Sequence, residues 1–322
     1  MKKFTIRCAV LFLCVFFTAQ SVSAAQLLVP VGQVIGLQIR EDRVTVEGFD
    51  ESLGAAARSA GLKAGDQILQ IDDMPILCAE DIRLALTQSD GDVDVHIQRD
   101  NTRKQLELEP VITPQGPKLG IYLREGISGV GTVTYYDPQT GIFGALGHSV
   151  NDKDGIPVQM TEGLAYRAVV DGICKGKTGE PGQLMGSVTN PEPFATLTKN
   201  TPQGVFGKTA AVFAGDPLPI ADVPDIRQGA ATIRSTVENG TVREYSVEIL
   251  KIYPGSSATG RNMLLKVTDP ALLAATGGIV QGMSGSPIIQ DGKLVGAVTH
   301  VLVNSPDTGY GIFIENMLEA AS

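Results

Sequence analysis

The stretch from Gln281 to His300 reads QGMSGSPIIQDGKLVGAVTH and joins a glycine-flanked serine to two short apolar runs. Ser284 stands two residues after Gly282 and directly before Gly285. Glycine lets the backbone bend sharply, so main-chain N–H groups on such a loop can converge on one point. The apolar runs predict a β-hairpin that turns at Asp291-Gly292 and fixes the loop on a sheet. A serine placed in this way suits a nucleophile, although a G-x-S-G run is also common in ordinary turns.

A second stretch, GIFGALGHSV, ends an apolar, glycine-rich segment at His148, well before Ser284 in the chain. A serine hydroxyl is a poor nucleophile until a base takes its proton, and the oxyanion that then forms needs N–H donors. The two stretches together predict that Ser284 is the nucleophile and His148 the base. The main-chain N–H groups of Gly282 and Ser284 are the predicted oxyanion hole.

The composition limits the classes of function. The chain has 322 residues, 43% of them hydrophobic, with 37 Gly, 18 Pro and no Trp. The length allows two domains or three small ones, and the composition indicates many short strands and turns. The formal net charge of −9 argues against a nucleic-acid-binding protein. Two of the four cysteines, Cys8 and Cys14, lie within the first 24 residues, which leaves Cys78 and Cys174. With only three histidines beside them, neither a metal site nor a disulfide framework is expected, and no cofactor is expected.

The N-terminal residues 1–24 have the pattern of an export signal. Three basic residues precede an apolar run from Cys8 to Phe17, and Val22-Ser23-Ala24 resembles a signal-peptidase site. The apolar run is short for a membrane-spanning helix, so we expect a cleaved signal, with a retained membrane anchor as the alternative. The functional part of the chain is therefore expected outside the cytoplasm.

Residues 27–112 predict a small α+β unit. RVTVEGF alternates like a strand, AEDIRLALTQ is a short amphipathic helix, and DVDVHIQRDNTRKQLELEPV is a hairpin. This order of elements, and GLKAGDQILQIDD above all, resembles a PDZ domain. The resemblance implies that a peptide ligand adds a strand beside QVIGLQI, where the amides of Ile35, Gly36 and Leu37 would receive it. The alternative is a PDZ fold whose groove is filled by its own chain.

The chain changes character after the Pro/Gly-rich segment ITPQGPKLG. Residues 118–322 consist of short apolar runs that are separated by Gly, Pro, Asn and Asp. Helical periodicity is confined to PALLAAT and the final IENMLEAAS. Such a segment predicts antiparallel strands in a pair of barrels or a sandwich.

The order His148 then Ser284, together with the Gln281–His300 stretch, resembles the trypsin-like double-barrel peptidases. FGALGHSV, QGMSGSPIIQDGKLVGAVTHV and GYGIFIENML are similar to the stage IV sporulation protein B family of exported, PDZ-containing serine peptidases. The resemblance implies a mostly β fold, with a small α+β PDZ domain followed by a trypsin-like antiparallel double β-barrel.

The same family resemblance implies a role in endospore formation. Such a peptidase works between the forespore and mother-cell membranes. There it cleaves itself and the extracytoplasmic part of a membrane-bound regulatory complex, which triggers late sigma-factor activation. The expected partner is thus a protein substrate, the ectodomain of a membrane protein. The N-terminus of the peptidase could in addition tether it to the membrane.

The resemblance also suggests further site residues. It points to Asp269 in LLKVTDP as the acid that orients His148, and Asp171 in AVVDG is the alternative. Either residue could instead be a simple turn former. Thr299 and His300 lie where trypsin-like enzymes run a strand along the bound substrate. The base of the specificity pocket falls near Gly278, so no acidic group is expected there to select basic side chains.

A different class of function is also open at this stage. The chain could be a non-catalytic PDZ adaptor that binds peptides or membrane-protein tails. An adaptor has no need of a histidine, a serine and flanking glycines together, and labelling of Ser284 by a fluorophosphonate separates the two functions.

Overall fold

The computed structural model describes residues 26–152, 155–237, 240–255 and 260–322. The predicted export signal, residues 1–24, lies outside the described residues. The strands are β1 Leu27–Pro30, β2 Val34–Phe49, β3 Gln67–Ile71, β4 Met74–Pro75, β5 Val93–Arg99, β6 Thr102–Leu108, β7 Val111–Thr113, β8 Gly116–Lys118, β9 Ile121–Tyr136, β10 Ile142–Ala145, β11 Met160–Cys174, β12 Gln183–Val188, β13 Ala195–Thr201, β14 Gly204–Lys208, β15 Leu218–Pro219, β16 Gly229–Thr236, β17 Val242–Ile252, β18 Met263–Val267, β19 Pro287–Gln290, β20 Lys293–Leu302 and β21 Ser305–Phe313. The helices are α1 Ala55–Ser59, α2 Ala79–Gln88, α3 Pro270–Thr276 and α4 Ile314–Ala321, with a 3₁₀ turn at Val223–Asp225.

Two six-stranded antiparallel barrels form the main body. Barrel 1 closes in the order β2-β9-β10-β14-β13-β11, because β2 pairs with both β9 and β11. Barrel 2 closes in the order β16-β17-β18-β21-β20-β19. Each barrel has its own apolar core. The predicted mostly β double-barrel fold is confirmed.

The predicted PDZ-like unit is also present. The second half of β2 pairs with β3, and the sheet continues through β5 and β6. The predicted helix is α2, which buries Ile82, Ala85 and Leu86 in the core of this unit. Asp81 accepts hydrogen bonds from the N–H groups of Leu77 and Cys78 and so fixes the start of that helix.

The boundary of the PDZ-like unit differs from the predicted 27–112. β2 is one continuous strand, and its first half, residues 34–41, pairs with β11 on one side and β9 on the other. Ile35, Leu37 and Ile39 are buried in the core of barrel 1. The PDZ-like unit is therefore inserted between the first two strands of barrel 1.

This pairing corrects the predicted peptide site at Ile35, Gly36 and Leu37. Gly36 lies opposite Tyr166 of β11 and Val130 of β9, so both main-chain edges are already occupied. A ligand strand needs a free edge, and none remains at this position. The segment is a barrel strand, and its hydrophobic residues face the core of barrel 1. Its sequence pattern alone does not show whether such a strand belongs to a barrel or to a PDZ domain.

The chain that follows β6 passes α2 before it enters barrel 1. β8 packs against α2, and Leu119 joins the same apolar core as Leu86. The first residues of β9 then pair with the second half of β2, and Glu125 accepts a hydrogen bond from the N–H of Ala79. Residues 121–124 of β9 have β2 as their only strand partner among the described residues, and the alternative of a self-filled groove stays a prediction.

Local sequence accounts for the remaining elements. The Asp291-Gly292 turn between β19 and β20 has φ values of 49° and 74°, which suit a tight hairpin. PALLAAT forms α3 and IENMLEAA forms α4, as predicted. In the described part of the chain, no helix combines the length and apolar character that a membrane crossing requires.

The close approach of β2 and β9 predicts a selective effect on stability. A Cβ at Gly126 would lie 2.1 Å from the main-chain oxygen of Ile39, whereas a Cβ at Gly129 on the same strand would contact nothing. Gly126→Ala is therefore expected to lower the free energy of unfolding by about 1–3 kcal/mol. Gly129→Ala, the matched control, should change it by less than about 0.5 kcal/mol in a urea titration. Equal effects would contradict the pairing of residues 34–40 with β9.

Candidate active site

The loop that carries Ser284 lies where the two barrels meet. The N–H of Thr132, on β9 of barrel 1, donates to the carbonyl of Ser284 at 3.0 Å. The N–H of Gly285 donates to the carbonyl of Val298, on β20 of barrel 2, at 2.7 Å. A Cβ at Gly285 would lie 2.0 Å from the Thr132 oxygen, so this position requires glycine. The loop is thus fixed to one strand of each barrel.

His148 reaches the same junction from barrel 1. It follows β10 after Leu146 and Gly147, whose φ values of 67° and 71° turn the chain sharply out of the sheet. A Cβ at Gly147 would lie 2.9 Å from Cγ2 of Thr299, on the opposite barrel. Glycine therefore lets barrel 1 come close enough for His148 to face the serine loop.

A cavity of about 480 Å³ between the barrels collects most of the predicted site residues. Its walls include His148, Gly282, Ser284, Thr299 and His300. The structure thus brings together five residues from three separate stretches of the sequence.

The Ser284 hydroxyl donates a hydrogen bond to the main-chain oxygen of Thr299 at 2.7 Å. This oxygen lies on the part of β20 that extends past the end of β19. Rotation about the Cα–Cβ bond of Ser284 can move the hydroxyl within the cavity that His148 also lines. In this structure the hydroxyl is therefore held by β20 and not by the imidazole.

Burial governs the electrostatics of His148. Burial lowers the pKa of the imidazole from its ordinary value, and the hydrogen bond to the Ser149 carbonyl partly opposes this effect. That bond is 2.8 Å long and involves Nδ1. A carbonyl accepts only, so Nδ1 carries the hydrogen, and Nε2 of the neutral ring has a free lone pair. This is the tautomer that a general base requires.

His300 stands beside His148, with their ring centroids 5.1 Å apart. Burial, followed by the nearby His148 and Arg261, lowers the pKa of His300 to about 4. Its Nδ1 is buried and has no hydrogen-bond partner among the described residues. At neutral pH His300 is thus an uncharged wall of the cavity.

Two main-chain N–H groups on the serine loop are available to an oxyanion. The carbonyl of Gln281 accepts from the N–H of Leu184, and the carbonyl of Met283 accepts from that of Ser286. In a trans peptide the N–H points opposite to the C=O, so the N–H groups of Gly282 and Ser284 are directed away from these partners. Within the described ranges, neither of them donates a hydrogen bond.

The predicted role of Asp269 is not supported by its position. Oδ1 of Asp269 accepts hydrogen bonds from the N–H groups of Ala271 and Leu272, at 2.9 and 3.0 Å. The residue is the N-cap of α3, with Pro270 at the first helical position. It neither lines the cavity nor contacts His148. The carboxylate stabilises a helix end and does not orient the imidazole.

The alternative acid, Asp171, does not line the cavity either. It is exposed at an irregularity in the pairing of β11 with β12. Among the residues that the structure describes, no carboxylate forms an ion pair with His148. The described residues also contain no cluster of three His, Cys, Asp or Glu side chains that could hold a metal.

Sequence reasoning did not anticipate two polar contacts around the site. The Thr132 hydroxyl donates to the carbonyl of Gly282 at 2.8 Å and so braces the serine loop from β9. Asn200, near the end of β13, bonds to the main chain that follows His148. Both contacts join segments that are distant in sequence, so no local motif marks Thr132 or Asn200.

Comparison with known proteins gives the family. The profile of the SpoIVB peptidase S55 family matches residues 115–318, which is more than half of the chain. The chain therefore belongs to the SpoIVB peptidase S55 family. It is a serine peptidase, as the site predicts. A comparison with curated proteins gave no match.

Two solved structures resemble parts of this family member. A PDZ domain of an SdrC-like protein from Listeria monocytogenes is 22% identical, with a TM-score of 0.22, and the match covers 26% of this chain and 90% of that one. The Rv3671c protease from M. tuberculosis, in its active form, is 14% identical, with a TM-score of 0.37, over 61% of this chain and 73% of that one. The assignment rests on the family match and not on these similarities.

The capping geometry predicts how Asp269 variants of this peptidase behave. Asp269→Ala removes the two hydrogen bonds at the start of α3 and should lower the free energy of unfolding by about 0.5–2 kcal/mol. Asp269→Asn keeps a good capping residue and should change stability little. Neither variant should alter kcat/KM when rates are normalised to folded protein. A fall in turnover on the order of 10⁴ for Asp269→Asn would instead show a triad acid.

Proposed function

We propose that the protein is an exported serine endopeptidase that acts during endospore formation. Its substrate is the extracytoplasmic part of a membrane-bound regulatory complex, whose cleavage triggers late sigma-factor activation, and it also cleaves itself. The family match supports this proposal, as does the export-signal pattern of residues 1–24. The site of action is the space between the forespore and mother-cell membranes.

The single observation that carries the catalytic part is the shared cavity of His148 and Ser284. Ser284 is the nucleophile, and Nε2 of His148 takes the proton of its hydroxyl. The free N–H groups of Gly282 and Ser284 stabilise the oxyanion. His148 then returns the proton to the leaving amine as the C–N bond breaks.

Substrate binding can also release the nucleophile. Successive residues of a strand direct their main-chain groups to opposite sides, so Thr299 and Val301 present theirs on the same side of β20. The Thr299 oxygen now holds the Ser284 hydroxyl. An extended substrate whose N–H binds that oxygen would displace the hydroxyl, which is then free to turn towards His148. Thr299 and His300 thus take part in substrate binding.

The lining of the cavity indicates the substrate side chains that fit beside the cleaved bond. No charged side chain lines it among the described residues. Aliphatic side chains from both barrels form much of the wall: Leu37, Ile39, Leu146, Ile279, Val280 and Val301. A charged substrate side chain would be buried there without a partner, which is costly. We therefore propose cleavage next to apolar residues.

The first test distinguishes two serines on one loop. Ser284→Ala should abolish labelling by a fluorophosphonate, substrate cleavage and self-cleavage. Ser286 is fully buried, and its hydroxyl has no partner among the described residues, so Ser286→Ala should stay folded and active. Equal loss in both variants would contradict the assignment of Ser284 as the nucleophile.

The second test concerns specificity. Extended peptides that differ only in the residue before the cleaved bond should be cut at least about ten-fold faster, in kcat/KM, with Leu than with Lys or Glu. Product sequencing identifies the cleaved bond, and labelling of Ser284 verifies that the enzyme is active in each assay. A preference for Lys or Glu would refute the apolar specificity while leaving the peptidase assignment in place.

A further inference from the structure

The side chain of Asn200 closes the loop that follows His148. Its Oδ1 accepts from the N–H of Val150 at 2.8 Å, and its Nδ2 donates to the carbonyls of Val150 and Val158, both at 2.9 Å. The N–H of Val158 also donates to the carbonyl of Val150 at 3.0 Å. Three bonds from one side chain therefore fix the main chain two residues after the histidine.

One peptide unit connects Asn200 to the imidazole. The Ser149–Val150 peptide is trans, so its N–H and C=O point in opposite directions. Its N–H is bound by Oδ1 of Asn200, and its C=O accepts from Nδ1 of His148 at 2.8 Å. The orientation of this peptide plane thus fixes both contacts at once.

We propose that Asn200 is a positioning residue for the peptidase reaction. By holding the Ser149–Val150 peptide, it keeps the Ser149 carbonyl in place as the acceptor for His148 Nδ1–H. This carbonyl has the role that a carboxylate has in a Ser-His-Asp triad. The proposal rests on the peptidase function of Ser284 and His148.

The chemistry requires this acceptor at a defined step. When Ser284 attacks, a bond forms between Oγ and the substrate carbonyl carbon, the hydroxyl proton moves to Nε2, and His148 becomes a cation. The Ser149 carbonyl then stabilises the charged ring through Nδ1–H. Without it, the tautomer with hydrogen on Nε2 competes, and that tautomer cannot accept the proton.

The expected loss is in kcat and not in KM, because Asn200 does not line the cavity. A hydrogen bond to a charged group contributes about 1.5–3 kcal/mol. Asn200→Ala is therefore expected to lower kcat about 10–100-fold with little change in KM.

The pH profile gives a readout that a purely structural role would not move. The base must be neutral, so activity falls as the pH drops through the pKa of His148. The Ser149 bond raises that pKa against burial, so losing the bond lowers it further. The acid limb of kcat/KM should thus move to lower pH in Asn200→Ala. The titratable group that faces His148 is His300 on β20, with Arg261 near it, and neither changes in this variant.

Two further variants keep the test decisive. Asn200→Asp retains an acceptor for the Val150 N–H, so its kcat should exceed that of Asn200→Ala, and its acid limb should not move to lower pH. Thr209→Val is the matched control in the same barrel. The Thr209 hydroxyl also bonds to main chain, at Phe194 and Ala211, but away from the cavity. This control should lose stability and keep the wild-type kcat and acid limb.

The experiment measures kcat, KM and the acid limb on the purified protein, with active sites titrated by fluorophosphonate labelling of Ser284. Wild-type kcat and acid limb in Asn200→Ala would overturn the proposal, and so would an equal fall in kcat for Thr209→Val. If Asn200→Ala does not fold, Asn200→Ser takes its place, because its shorter side chain does not reach the Val150 N–H. It should show the same loss of kcat and the same shift of the acid limb, and wild-type values in Asn200→Ser would overturn the proposal. Wild-type protein that neither labels nor cleaves the extended peptides would refute the peptidase function itself, a result distinct from these.

Discussion

The main-chain contact at Gly285 holds the two barrels and the nucleophile together. Its Cα lies so close to the carbonyl of Thr132 that no side chain fits, and its N–H is bound by Val298 of the other barrel. Ser284 is therefore fixed to β9 and to β20 at once. His148 comes from barrel 1 and Thr299 from barrel 2, so a contact that joins β9, the serine loop and β20 sets how these residues face one another.

The second organising feature is the length of β2 and β9. Both strands run from barrel 1 into the PDZ-like unit, so the unit is joined to the barrel by paired strands and not by a linker. Leu37 and Ile39 of β2 line the catalytic cavity, and Val44 and Val46 of the same strand lie in the core of the PDZ-like unit. A protein that binds the unit thus engages an element continuous with the cavity wall.

The parts of the site that the sequence predicted are those with local signals. Glycines around Ser284 and at Gly147 mark positions where the backbone turns or approaches another strand closely, and such requirements are visible in a short motif. Turn residues between short apolar runs indicated a pair of barrels or a sandwich, and the family resemblance favoured the double barrel.

The wrong predictions concern choices that tertiary contacts make. An Asp before Pro-Ala-Leu-Leu is a strong N-cap signal. Asp269 caps α3, as this local signal indicates, and does not contact His148 as the resemblance implied. QVIGLQI has the pattern of a buried strand, but the pattern does not say which sheet the strand joins. Both strands that pair with it, β9 and β11, lie more than 80 residues later in the chain. Only the fold therefore shows that the segment is part of barrel 1.

A carbonyl in place of a carboxylate changes the character of the base. Hydrogen bonds to an ionised partner are roughly twice as strong as those between neutral groups, so the Ser149 carbonyl stabilises a charged imidazole less than an aspartate would. Burial lowers the pKa of His148 further, which makes the ring a weaker base but keeps it neutral over a wider range of pH. At the same time, the Ser284 hydroxyl is bound to the Thr299 oxygen and not to His148. Both features lower the reactivity of the resting site, and an extended substrate along β20 removes the second of them. A site arranged in this way favours substrates that bind along β20 as extended strands.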